Sequence, residues 1–219
     1  YGELVKDENL ILNETFVGYE KDSKLPLWNG EWGTLGVYGA FAKNSNNPDE
    51  AVSYDTNYVM IKQEANGNNR AELVDDASMN GATKLIWDFG KLDGIVKGYI
   101  NIKLLNAGSS WTPIQFYGSN KKEVFGLRFD GNIVKYRLNG GTVVLGETQI
   151  NITQISTLRM YFEVDMETGV LNLVLNGETF VSNLELPVKE IIGIQFVSSN
   201  SGAKTLSLDN MALVNIPLT

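Results

Sequence analysis

The twenty residues Leu158-Arg159-Met160-Tyr161-Phe162-Glu163-Val164-Asp165-Met166-Glu167-Thr168-Gly169-Val170-Leu171-Asn172-Leu173-Val174-Leu175-Asn176-Gly177 decide the fold class. Leu158, Met160, Phe162 and Val164 occupy alternate positions, and on a pleated strand alternate side chains share one face. Met166-Glu167-Thr168-Gly169 supplies a turn, after which Leu171, Leu173 and Leu175 line the same face on the return. Asn176-Gly177 ends that strand with a pair suited to positive φ. The segment reads as a hairpin with one apolar side.

The same grammar extends in both directions. Phe125, Leu127 and Phe129 form one face before Asp130-Gly131, and the next strand runs from Ile133 to Leu138 before Asn139-Gly140-Gly141. Further strands are expected over 85–89, 95–105, 192–197 and 205–214. Turn residues recur roughly every 8–12 positions, the mark of an all-β chain. Lys43 to Asp55, rich in Asn and carrying Pro48, reads as a long surface loop, and Gln63 to Arg70 as a second polar loop. No composition shift divides the chain and no fixed repeat period appears, so 1–219 reads as a single domain. The start at Tyr1, with neither Met nor a signal peptide, reads as a segment excised from a longer protein.

Composition narrows the chemistry. The 219 residues include 18 Lys and Arg against 26 Asp and Glu, a formal charge of −8. That field opposes phosphate backbones and anionic headgroups, arguing against nucleic acid and membrane partners. It also disfavours a polyanionic sugar unless a local basic patch overrides it. No run approaches the roughly 18 apolar residues of a spanning helix. Cys and His are both absent, which removes disulfides, the commonest general base and the commonest zinc ligand.

Three segments in order resemble concanavalin A-like, laminin-G-like sugar-binding domains. They are Asn9-Leu10-Ile11-Leu12-Asn13-Glu14-Thr15-Phe16 with Gly18-Tyr19 and Leu25-Pro26-Leu27-Trp28; the hairpin Phe162 to Gly169 with Asn176-Gly177; and Leu206-Ser207-Leu208-Asp209-Asn210-Met211-Ala212-Leu213. The chain is most similar to family 66 of the carbohydrate-binding modules, found beside secreted bacterial polysaccharide-degrading enzymes such as pectate lyases and fructanases. This resemblance implies a two-sheet antiparallel β-sandwich of jelly-roll type. It further implies a monomeric, extracellular, non-catalytic module that binds polysaccharide for a covalently linked enzyme. It also matches Glu14 and Asp209 to the family's acidic ligands for a structural calcium, with the first and last strands as neighbours.

Sugars are bound by aromatic rings and by planar hydrogen-bonding side chains. Trp111, Gln115 and Tyr117 fall at odd positions and are expected on one outward strand face, with Ile114 and Phe116 behind. Arg128 faces away from the core, and Tyr136 follows in the partner strand. Arg70 and Glu72 share a face, a fork suited to vicinal hydroxyls or a sugar carboxylate. Trp28, Trp32 and Trp87 lie among apolar neighbours and read as core.

Two rivals differ in class. Glu163, Asp165 and Glu167 at i, i+2 and i+4 resemble the carboxylate strand of a glycosidase, but Glu167 precedes Thr168-Gly169 and so belongs to the turn. The other rival is a structural domain packing on its own enzyme or a cell-surface partner.

Overall fold

A computed structural model describes residues 1–43, 54–75, 81–104, 110–139, 141–148, 156–198 and 205–219. A 3₁₀ turn, Leu4–Lys6, is followed by strands β1 (Leu10–Glu14), β2 (Gly36–Lys43), β3 (Tyr58–Gln63), β4 (Asn69–Val74) and β5 (Gly81–Asp88). The chain continues through β6 (Ile95–Leu104), β7 (Ser110–Gly118), β8 (Glu123–Asp130), β9 (Ile133–Leu138) and β10 (Gly141–Glu147). It closes with β11 (Ser156–Asp165), β12 (Val170–Leu175), β13 (Glu178–Glu185), β14 (Ile191–Val197) and β15 (Leu206–Ile216).

All pairings within the two sheets are antiparallel. The first sheet runs β13-β12-β11-β6-β15-β4-β3, with β1 also on β15, and the second runs β10-β9-β8-β7-β14-β5-β2. The expected two-sheet sandwich of lectin-like type is what the chain forms, and its first and last strands are neighbours, Glu14 lying opposite Met211. The hairpin that decided the fold is β11–β12, its seven alternating apolar residues all fully buried. Asn176 (φ 48°) and Gly177 (φ 84°) make the following turn.

The core lies between the sheets. Val96, Ile100, Ile102, Leu158, Met160 and Phe162 from the first sheet meet Leu85, Trp87, Ile114, Phe116, Leu127 and Phe196 from the second. Phe162 sits at the contact, its ring 5.1 Å from Phe116 and 6.5 Å from Trp87, both edge-on. Gly98, directly opposite Phe162 in β6, makes room for it: a Cβ there would lie 2.1 Å from the ring.

Two expectations about loops are refined. Gln63 to Arg70 is not an open loop, because Gln63 ends β3 and Asn69 and Arg70 already belong to β4. Glu64 N–H donates to Asn68 O and Gly67 N–H to Glu64 O, closing a tight turn. The long loop expected from Lys43 to Asp55 falls mostly outside the described residues.

Candidate functional site

The outer face of the second sheet carries a set of polar and aromatic side chains. Because Leu85, Trp87, Ile194, Phe196, Ile114 and Phe116 point inward, their strand neighbours Lys84, Ile86, Gln195 and Gln115 point outward. Register then lays out rows across the sheet. Gln195 lies opposite Ile86 on one side and Gln115 on the other; Gln115 lies opposite Gly126, and Gly126 opposite Arg137. In the adjacent row Gly193 lies opposite Tyr117, and Tyr117 opposite Glu123.

A segment outside the sheet supplies an aromatic platform. Trp32, half-buried, lies over Gly193, where a Cβ would come within 2.2 Å of its ring. It stacks on Tyr117 at 6.0 Å and 25° and meets Trp28 edge-on at 5.1 Å. Buried Asp88 anchors this segment: its carboxylate accepts from Gly33 N–H (2.9 Å), Thr34 N–H (3.1 Å) and Gly90 N–H (2.7 Å). Sequence reasoning assigned Trp32 to the core. The flanking Gly30, Glu31 and Gly33 were the available signal for an exposed turn.

Hydrogen-bonding capacity here is only partly used. The Gln195 side chain is fully buried, and neither its amide nitrogen nor its oxygen has a hydrogen-bond partner. The same holds for Trp32 Nε1 and Glu123 Oε2. Tyr117 donates to Gln115 Oε1 at 3.2 Å. Burial raises the Tyr117 hydroxyl above the ordinary phenol range, and the Glu123 charge pushes the same way.

Glu123 is the site's perturbed carboxylate. Burial holds its pKa above the usual carboxylate range, against the opposing pull of Arg137 and Lys84. A raised folded value means that folding favours the protonated form. The Glu123 contribution to stability is therefore fully present below the ordinary carboxylate range and lost as pH rises through the folded value. Glu123→Gln is accordingly expected to raise the melting temperature at pH 7, with the difference from wild type shrinking toward pH 4. Thermal unfolding at both pH values checks this, and an equal shift at both would remove the ionisation of Glu123 as its cause.

The sequence-predicted residues do not form one site. Gln115, Tyr117 and Arg128 stand on the outer face of the second sheet. Trp111 does not: it is buried, with its Nε1 donating to Val197 O at 3.0 Å. Pro113 explains the correction, since proline cannot donate to the ladder and the register shifts between Trp111 and Ile114. That bulge turns Trp111 to the side of Ile114 and Phe116. Tyr136 also faces inward, opposite Leu127 and stacked on Phe125 at 5.7 Å. Arg70 and Glu72 lie on the opposite, outer face of the first sheet, with Arg70 Nη1 bonded to Glu64 at 2.7 Å.

The two expected calcium ligands are separated by the pleat. Glu14 lies opposite Met211, a core residue, and its carboxylate accepts from Phe16 N–H at 2.5 Å. Asp209 projects outward, accepting from Asn68 (2.5 Å) and Asn101 (3.1 Å). Calcium takes about 6–8 oxygens, and no group of three acidic donors exists among the described residues. The residues present do not fit the ion. The carboxylates of the rival enzyme reading have structural duties: Glu163 lies 3.9 Å from Lys97, Asp165 accepts from Glu167 N–H and Thr168 N–H, and Glu167 sits in the turn.

No protein-family model and no curated protein sequence matches the chain. Among solved structures it is similar to "Cellulose induced protein, Cip1", at 12% identity over 95% of this chain and 99% of that one, with a TM-score of 0.57. It is also similar to a Lotus tetragonolobus seed lectin, at 10% identity over 77% of this chain and 96% of that one, with a TM-score of 0.50. A sialidase matches at 13% identity and a TM-score of 0.51 over 75% of this chain, which spans only 16% of that protein. These likenesses show a lectin-type β-sandwich.

Proposed function

We propose that this chain is a non-catalytic carbohydrate-binding domain whose ligand crosses the outer face of the second sheet, over Trp32. The observation that carries this is Trp32, half-buried, laid over Gly193 and stacked on Tyr117. The face of this indole turned from Tyr117 can stack on the C–H face of a sugar. Lectin-type neighbours support the reading.

The motif resemblance to family 66 extends the proposal. The domain would hold a linked polysaccharide-degrading enzyme, a pectate lyase for example, at its substrate outside the cell by raising its effective concentration there.

Affinity electrophoresis through gels containing pectic, fructan, xylan and β-glucan polymers tests the proposal. Retardation by at least one polymer, with no cleavage of that polymer, is expected. Trp32→Ala should weaken binding about tenfold, equivalent to about 1.4 kcal/mol, with the circular-dichroism spectrum unchanged. Free migration of the wild type in every gel would sink the reading, as would new chain ends in a polymer it binds.

A further inference from the structure

On the outer face of the second sheet, Lys84, Arg128, Lys135 and Arg137 stand on three strands, facing Glu123 and Asp130. A third acid on that face, Asp88, is buried and saturated by donors from the Gly33–Thr34 segment and Gly90. Exposed Glu147, opposite Ile133, shares that face, and Lys84 is itself buried, so the two arginines are the cations through which this face can meet an anionic ligand.

The two arginines are incompletely used. Arg137 Nε lies 3.6 Å from Glu123 Oε1, and Arg128 Nε lies 3.6 Å from Asp130 Oδ1. At 3.6 Å neither contact is a hydrogen bond, and Arg128 Nε has no hydrogen-bond partner at all. Asp130 is instead bonded by Lys135. Each guanidinium therefore has charge nearby while its planar donor fork stays open. Arg128 lies opposite Lys135, two residues before Arg137, so the forks are diagonal neighbours, roughly 7–8 Å apart at the backbone.

We propose that the ligand is an acidic polysaccharide, whose sugar carboxylates are taken by Arg137 and Arg128. This rests on the carbohydrate-binding reading of the same face. A guanidinium binds a carboxylate through two parallel N–H···O bonds, which Glu123 and Asp130 do not supply at their present distances. Trp32 contacts the sugar ring, and the arginines select for its charge. Glu123 is a resident competitor for Arg137, held in a buried position that disfavours its own ionised form.

The experiment uses polygalacturonate, the same polymer after chemical reduction of its carboxyl groups, and a neutral β-glucan in parallel affinity gels. Polygalacturonate is expected to retard the protein at least about tenfold more strongly than the reduced polymer, since charge-assisted hydrogen bonds run to about 1.5–3 kcal/mol. Its advantage should shrink as salt rises. Arg137→Gln should erase that advantage without changing the melting temperature by more than a few degrees, whereas Glu123→Gln should keep or strengthen it. Equal binding to the acidic and reduced polymers, or full retention of the advantage in Arg137→Gln, would overturn acidic selectivity and leave the carbohydrate-binding reading standing. Binding to no polymer in any gel would overturn both.

Discussion

Phe162→Ala should lower the unfolding free energy by about 3–5 kcal/mol, measured by urea denaturation with an unchanged m-value. The ring is fully buried and joins the two sheets. It stacks on Phe89 at 6.0 Å and meets Phe116 and Trp87 edge-on. Truncation removes the transfer free energy of the ring and leaves a cavity among stiff aromatic neighbours that cannot collapse into it. A domain of ordinary stability has about 5–15 kcal/mol in all, so the variant should be near its folding limit at 37 °C. The pairing with Gly98 sharpens the test. Gly98→Ala alone forces a Cβ into the Phe162 ring and should be strongly destabilising, but in the Phe162→Ala background that clash is gone. The double-mutant cycle is expected to show a coupling of more than about 1 kcal/mol. Val144→Ala, at an exposed position, should change stability by less than about 0.5 kcal/mol. A loss below about 1 kcal/mol for Phe162→Ala would mean that the β11–β12 hairpin does not organise the core.

Phe162 belongs to the part of the fold that could be read directly. Where one face of a strand is buried, a slip of one residue would expose every apolar side chain, so alternation and register fix each other. That logic placed Leu158 to Val164, Leu171 to Leu175, and Phe125 to Phe129 correctly. It failed where a bulge resets the parity. Pro113 turns Trp111 inward, and the irregularities between Leu10 and Leu12 and between Leu208 and Asn210 send Glu14 and Asp209 to opposite faces although their strands are neighbours. Bulges are made by backbone pairing with a partner strand distant in sequence, and alternation within one strand does not register them. Tyr136 was misplaced for a simpler reason: it shares the inward parity of Val134 and Leu138, and its hydroxyl drew it to the surface reading. Gln115, Tyr117 and Arg128 were assigned to the outer sheet face correctly. Their grouping with Arg70 and Glu72 was not recoverable, because strand order decides which sheet a residue joins. Trp32 was missed because its position depends on Asp88, fifty-six residues further along the chain.

That dependence makes Asp88→Ala the variant expected to break stability and binding together. Asp88 Oδ2 accepts from Gly33 N–H, Thr34 N–H and the Thr34 hydroxyl, while Oδ1 accepts from Gly90 N–H. Removing the carboxylate strips three backbone donors of a charged acceptor, in a place where only part of the segment can turn to water. The loss is expected to be about 3 kcal/mol, one to two hydrogen bonds of about 1.5–3 kcal/mol each. Asp88→Asn keeps one oxygen but sets an N–H group against the other donors, so it should fall between alanine and wild type. Thr34→Ala removes only the 3.3 Å hydroxyl contact and should be nearly silent. Amide hydrogen exchange separates anchoring from a general loss of stability: Gly33, Thr34 and Gly90 should lose protection in Asp88→Ala by more than the strand amides of β7 and β14 do. If Trp32 is held in place by this anchor, polysaccharide affinity falls with that protection, even at temperatures where the sandwich stays folded. If affinity survives while protection is lost, the packing of Trp32 on Gly193 and Tyr117 is sufficient to hold the platform. The anchor would then serve the fold alone, and the binding face would extend no further than the indole and the side chains of the sheet itself.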